Sequence, residues 1–189
     1  MKFDKLVHLR YSVRRFDKRP VEEGKIEAIL RAAQAAPSAK NKQSWRVLVI
    51  NDALALEQLK TCTPCHYGAP LAFLVCCNKN EGFVREYDGA KSGVIDASIA
   101  ATHMILAACE LGVGSTWVMN FDPKRVREVY NMPDEYEPVA LLVCGYPAKD
   151  VVIDKRHYAR KPLEELCYQN TFTVQGNKTT NQEEKETTV

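Results

Sequence analysis

The segment from Lys91 to Leu111 constrains this chain more than any other, because it is alanine-rich and apolar around most of a helical circumference. A helix with apolar residues on nearly every side must be buried on several sides. In a chain of 189 residues, one way to achieve this is to place part of the helix against another subunit. Asp96, His103 and Glu110 break its most apolar stretch, Val94 to Leu111. It therefore reads as a buried helix and not as a membrane span. The length fits one domain with a substantial core, expected over residues 1–174. Residues 175–189, QGNKTTNQEEKETTV, have the composition of a disordered tail.

The remaining elements alternate in an α+β order, without the steady βαβ rhythm of a doubly wound sheet. Lys2 to Leu9 can form a short helix, and Ser12 to Phe16 reads as extended chain. Ile26, Ile29, Leu30 and Ala33 fall at i, i+3, i+4 and i+7, predicting a helix from Glu22 to Ala35 that Pro37 ends. Trp45 to Ile50 is rich in β-branched residues and reads as a strand. Ala53 to Leu59 reads as a short helix. Leu71 to Cys77 and Pro138 to Cys144 are apolar runs expected for interior strands. After Gly112 and Gly114, Ser115 to Met119 can form a strand, and Asp122-Pro123 caps a helix from Lys124 to Tyr130.

Composition narrows the function. A net charge of +2 argues for neither a nucleic-acid partner nor a membrane surface. The N-terminus MKFDKLVHLR lacks the apolar region of a signal peptide. With seven cysteines, this points to a reducing compartment, and the cytoplasm is the expected location. CTPCH, Cys62 to His66, has the spacing of a c-type haem attachment site. Haem attachment normally follows export, however, and a zinc site would need further ligands. The plain reading is two partly buried thiols in a turn.

The candidate binding groups are basic. In extended chain, alternate side chains share a face. Arg10, Ser12 and Arg14 then point one way, and Tyr11, Val13 and Arg15 the other. Arg10 and Arg14 would be separated by roughly 13 Å. Two guanidiniums flanking a hydroxyl suit an elongated ligand with an anionic end, and a solvated basic edge is the alternative. Pro37 to Trp45, PSAKNKQSW, could bring backbone close to a ligand or be only a loop. Arg160-Lys161 precedes one or two helical turns containing Leu163 and Leu166. Neither GxGxxG nor GxxxxGK[ST] is present, which argues against Rossmann and P-loop nucleotide enzymes. His103 and Asp96 lie on the buried helix and read as core hydrogen-bonding groups. A chain with binding groups and few acid–base candidates is one whose cofactor would carry the reaction.

Taken in order, these segments resemble the nitroreductase family of FMN-dependent oxidoreductases, in its compact form. R-x-S-x-R-x-F is Arg10, Ser12, Arg14 and Phe16; P-S-x-x-N-x-Q-x-W is Pro37, Ser38, Asn41, Gln43 and Trp45. A-P is Ala69-Pro70, and D-x-x-x-A is Asp96 and Ala100. L-G-x-G-x-x-W-x-x-x-F-D-P runs from Leu111 to Pro123, P-x-x-Y-x-P-V-A-L from Pro133 to Leu141, and G-Y-P from Gly145 to Pro147. R-K-P-L-E-E is Arg160 to Glu165. The resemblance spans roughly residues 3 to 170, and these motifs in order make it specific.

The resemblance implies an α+β fold: a three-layer α/β/α sandwich with a mainly antiparallel sheet, in an intertwined homodimer with two FMN sites at the subunit interface. It assigns Arg10 and Ser12, with Tyr11 beside them, to the FMN phosphate, and Arg160 and Lys161 to its other side. Arg14 would lie at the pyrimidine edge of the ring. Pro37, Ser38, Ala39 and Asn41 would approach from the second subunit, and the backbone of Val118, Met119 and Asn120 would face the reactive part of the ring. The implied activity is hydride transfer from NADH or NADPH and ping-pong reduction of nitroaromatics, quinones or similar electron-poor small molecules. Reductive dehalogenation, flavin fragmentation or flavin binding without catalysis are the alternatives. Three departures stand out: Ser44 where many members have proline, Cys62 to Tyr67 where they place polar residues, and Met119-Asn120 where they have a smaller residue.

Overall fold

The two apolar runs predicted as interior strands occupy the middle of the sheet. In the computed structural model, which describes residues 1–172, β1 is Trp45–Ile50, β2 Leu71–Asn78, β3 Gly114–Val118 and β4 Tyr136–Gly145. Their order is β1-β2-β4-β3, and every pairing is antiparallel. Every residue of β2 is buried, as expected for a strand covered on both faces.

Alternation along the central strands sends side chains to two separate cores. Leu71, Phe73, Val75 and Cys77 of β2 and Leu142 and Cys144 of β4 pack with Ile26, Ile29 and Ala33 and with Ala97, Ala100, Ala101 and Met104. Those partners lie on α2, Glu23–Gln34, and α4, Gly93–Glu110. Ala72, Leu74 and Cys76 with Leu141 and Val143 face the opposite way, onto Leu59 and Val126. These belong to α3, Ala53–Leu59, and α5, Pro123–Val129. The result is the expected three-layer sandwich. Asp52 and Asp122 cap α3 and α5, each accepting two backbone N–H bonds.

Element bounds differ from the sequence reading by a residue or two at most positions. Strand β4 begins earlier because Pro138 sits where the ladder is already irregular: Val75 pairs with Ala140 and Cys76 with Pro138. The skipped residue, Val139, makes a bulge, a place where proline's missing N–H costs no ladder bond.

Helix α4 is long and apolar enough to cross a membrane by length and composition, but one face packs as a core helix. Ala97, Ala100, Ala101 and Met104 are wholly buried. The opposite stripe is not covered: Val94 and Ile95 are 46% and 62% exposed, and Ser98, Ile99, Leu106 and Cys109 are half-buried.

The chain divides into two compact units, Met1–His157 and a second beginning at Tyr158. The first also contains α1, Phe3–Leu9. In the second, α6, Leu163–Leu166, follows Pro162, as the sequence predicted. The tail expected at residues 175–189 lies outside the described residues.

Candidate functional site

Extended chain from Ser12 to Phe16 forms a strap beside the sheet. Ser12 makes a parallel bridge to Ser115 of β3, and Phe16 an antiparallel bridge to Pro147. Between them Val13 N–H donates to Ser115 O at 3.0 Å, and the buried Thr116 hydroxyl donates to Val13 O. Asp17 N–H donates to Tyr146 O at 2.8 Å, and Ala148 N–H to Arg15 O at 3.1 Å. Val13 is the anchor, 1% exposed.

Two glycines make room for the strap. A Cβ on Gly114 would stand 2.6 Å from Val13 Cγ2, and one on Gly145 would stand 2.7 Å from Pro70 Cδ and 3.0 Å from Phe16 Cδ1. The two are paired across β3 and β4. Only a residue without a Cβ lets the strap approach so closely.

The strap does not split its arginines as a regular strand would. Arg10 and Tyr11 line one hollow of about 130 Å³, with Leu9, Cys109 and Gly112. Ser12, Arg14 and Arg15 line another of about 150 Å³, with Val151, Val152 and Asp154. Ser12 to Phe16 is bridged only at its ends and bends at Arg15, so Arg15 comes round beside Arg14. Their electrostatics still differ. Arg15 pairs with Asp150 at 2.7 Å, whereas Arg10 and Arg14 form no ion pair among the described residues.

Arg14 instead lies close enough to Tyr67 to lower its pKa. Tyr67 is held in the left-handed region, φ 52°, at the end of the CTPCH turn. Its pKa is raised, chiefly by a hydrogen bond with Cys65 and then by burial, with Arg14 opposing the rise. Asp154 is held below the usual carboxylate range by its hydrogen bonds with Arg156, with a smaller contribution from Arg14. Burial pushes the Cys109 thiol up, while Arg10 pulls it back.

The CTPCH segment packs against the loop after β3. Thr63 donates to Asn120 O at 2.5 Å, the Asn120 amide lies 3.8 Å from Cys65 Sγ, and Asp122 N–H donates to Cys62 O at 2.8 Å. Cys62 is buried and Cys65 half-buried, as a turn holding two thiols would have it. Val118 is buried, and Met119 and Asn120 are exposed. Arg14, Tyr67, Cys65 and Asn120 thus share one corner of the first unit. The sequence marked Tyr67 only as the end of the Cys62 to Tyr67 departure and gave it no role; the Tyr-Gly pair at a turn was its one local signal.

Pro37, Ser38, Ala39 and Asn41 are elsewhere. Ala39 N–H donates to Asp96 near the start of α4, whereas Cys109, beside Arg10, is near its end. Thirteen helical residues span about 20 Å, so one chain does not bring these two groups together. Arg160 and Lys161 belong to the second unit, where Arg160 donates to Ala159 O at 2.8 Å and Lys161 lies 3.7 Å from Glu165. His103 bonds within α4, its Nδ1 2.9 Å from Ile99 O.

The arrangement defines a class: an α+β sandwich with a basic strap along the free edge of β3. The chain belongs to the Nitroreductase family, which matches residues 7–64 and 66–146. A nitroreductase family protein of Clostridium difficile 630 has a similar structure, with TM-score 0.85 and 39% identity over 90% of this chain and 99% of its own. An FMN-dependent nitroreductase of Clostridium difficile R20291 gives TM-score 0.72 at 28% identity, over 88% of this chain and 98% of its own. A Methanothermobacter thermautotrophicus protein, provisionally named NADH dehydrogenase/NAD(P)H nitroreductase, is 30% identical over 153 residues, 76% of each chain.

Proposed function

We propose that this chain is an FMN-dependent oxidoreductase that takes hydride from NADH or NADPH and reduces nitroaromatic, quinone or similar electron-poor small molecules by alternating the two substrates at one site. The observation that carries the reading is the basic segment from Arg10 to Arg14, in which Arg10 and Arg14 form no ion pair among the described residues while the neighbouring Arg15 is paired with Asp150. Guanidiniums not tied up in ion pairs, beside a hydroxyl, in a member of this family, fit a phosphorylated ring system.

FMN bound there would supply the two-electron redox chemistry. Arg10, with Tyr11 and Ser12, would hold its phosphate. Arg14 would place a fixed positive charge at the ring edge, favouring the form that carries negative charge. Tyr67, with its pKa raised, would keep its hydroxyl proton at neutral pH and so act as a donor beside Arg14. The Val118 to Asn120 segment would shape the space over the ring.

The loop of Pro37, Ser38, Ala39 and Asn41 would complete the site of a second copy of the chain. Separation of loop and strap along α4 supports this, as do the exposed Val94 and Ile95 and the half-buried Leu106 on the same helix. Apolar residues left open in this way are what a homodimer interface would bury. All seven cysteines are free, which supports a reducing, cytoplasmic setting. The first unit is the body of the FMN-binding domain, which we take to extend to residue 174.

The test is an anaerobic absorbance titration of purified protein. An oxidised-flavin spectrum that bleaches with NADH or NADPH, and recovers on adding a quinone or nitroaromatic, is the expected result. Protein that binds FMN but is not bleached by either nucleotide would be a binder and not an enzyme.

A further inference from the structure

The loop between α2 and β1 is held in a conformation that its residues disfavour. Lys40, Asn41 and Gln43 have φ of 49°, 54° and 48°. These are three of the six non-glycine residues with positive φ among those described, and they fall within four positions. Left-handed backbone is costly for L-residues and persists where the surroundings over-determine it, often at ligand clamps.

Within the loop, Asn41 N–H donates to Ser38 O at 2.9 Å and Lys42 N–H to Ala39 O at 3.1 Å. Gln43 N–H donates to the Ser38 hydroxyl at 3.0 Å. From outside, Arg46 Nη1 donates to Gln43 O at 3.1 Å and Asn78 N–H to Ser44 O at 2.7 Å, but only one carboxylate bonds both ends of the loop. Asp96 Oδ1 accepts from Ala39 N–H at 3.0 Å, at the start of the loop. Its Oδ2 accepts from the Ser44 hydroxyl at 3.2 Å, at the end, and from the Ser92 hydroxyl at 2.8 Å. Asp96 is 2% exposed and Ser44 wholly buried. Among the described residues no cation pairs with Asp96; three donors and the first turn of α4 take that role. A buried charge without a counterion is expensive to keep for packing alone.

We propose that Asp96 is a positioning residue: its carboxylate ties both ends of the loop and so holds Ser38, Ala39 and Asn41 in the strained shape that receives the cofactor. The cofactor's identity rests on the reading above; the clamp itself does not. Ser44 belongs to the same device, its hydroxyl supplying the bond that closes the loop.

The test compares Asp96→Ala, Asp96→Asn and Ser44→Ala by FMN dissociation constant and by hydrogen exchange of the Ala39 and Gln43 amides in FMN-free protein. Losing a charged acceptor should weaken FMN binding about tenfold or more in Asp96→Ala and speed Ala39 exchange by a similar factor. Asp96→Asn keeps an acceptor oxygen for Ala39, and its amide can donate to the two hydroxyls, so it should stay within about threefold of wild type. That rescue marks positioning, because a simple packing defect would lower melting temperature without separating the two variants in affinity. Should Asp96→Ala not fold, Ser44→Ala carries the test, with FMN binding weakened about threefold and melting within a few degrees of wild type. Unchanged FMN affinity and unchanged Ala39 exchange in the folded variants overturn the proposal. If wild-type protein does not bind FMN but Ala39 exchange still rises in Asp96→Ala, the cofactor assignment falls and the clamp stands.

Discussion

The strap of residues 12–16 and the loop of residues 38–44 are both irregular chain, yet they are ordered by opposite means. The strap is fixed by main chain. It bonds to β3 and to the segment after β4, buries one valine, and leaves its arginines outside. None of its residues has positive φ. The loop is fixed by side chain, with its backbone in left-handed conformations at three residues and its ends gathered on Asp96. The contrast teaches where each can fail. A strap is lost when its track is blocked, and a clamp when its single carboxylate goes.

Blocking the track should give the largest effect. Gly114→Ala places a Cβ against the stiff, buried Val13 side chain and should cost about 1–3 kcal/mol. Urea unfolding and bound flavin per chain measure it; a variant with unchanged stability and full flavin content would show that Val13 does not seat the strap.

Removing an arginine without moving the strap should come next. Arg14→Ala lies on an exposed side chain, so stability should change by no more than about 0.5 kcal/mol. Turnover should fall roughly tenfold or more, with a lowered flavin potential, because a charge aimed at the ring is gone. Wild-type kinetics in this variant would remove Arg14 from the site.

Glycine substitutions should then have opposite signs in the two regions. Lys40→Gly relieves a left-handed residue and should stabilise the protein by about 1 kcal/mol or less, since part of the gain returns as chain entropy. Ser12→Gly in the extended strap should destabilise by a similar amount. Thermal melts of the pair give the comparison directly, and two shifts of the same sign would break it.

The smallest effect is a titration. Tyr67 has a folded pKa raised above its ordinary value of 10.0. Its neutral form therefore contributes stability fully present below pH 10, and this is lost as pH rises through the folded value. Arg14 works against the rise, so Arg14→Ala should move Tyr67 further up. The tyrosinate absorbance that Tyr67→Phe removes would report it; a downward move would mean that the two groups do not interact.

Much of this architecture was legible before any coordinates. Leu71 to Cys77 and Pro138 to Cys144 announce central strands because continuous apolar runs have no face to show to water. Ile26, Ile29 and Ala33 announce the buried stripe of α2 through their spacing, and Asp122 announces the cap of α5 because a short acidic side chain reaches free N–H groups. Of the site, the motifs marked the strap and the loop as segments. They did not reveal that Arg15 would come round beside Arg14, since period-2 reasoning assumes a strand paired along its length. Nor did they reveal that Asn120 would meet Thr63 and Cys65, 57 and 55 residues away in sequence, because CTPCH packs on the loop after β3.

By itself the sequence determined the elements, their burial and the chemistry available, because periodicity and residue type are local properties of the chain. Only the tertiary structure decided that Asp96 would answer to Ala39, 57 residues away, and that the paired Gly114 and Gly145 would open a track for Val13 and Phe16. Those facts depend on which surfaces meet when two cores close over one sheet, and no local pattern encodes that meeting. It also decided that strap and loop sit at opposite ends of α4. That separation is the physical reason for looking to a second copy of the chain to complete the site.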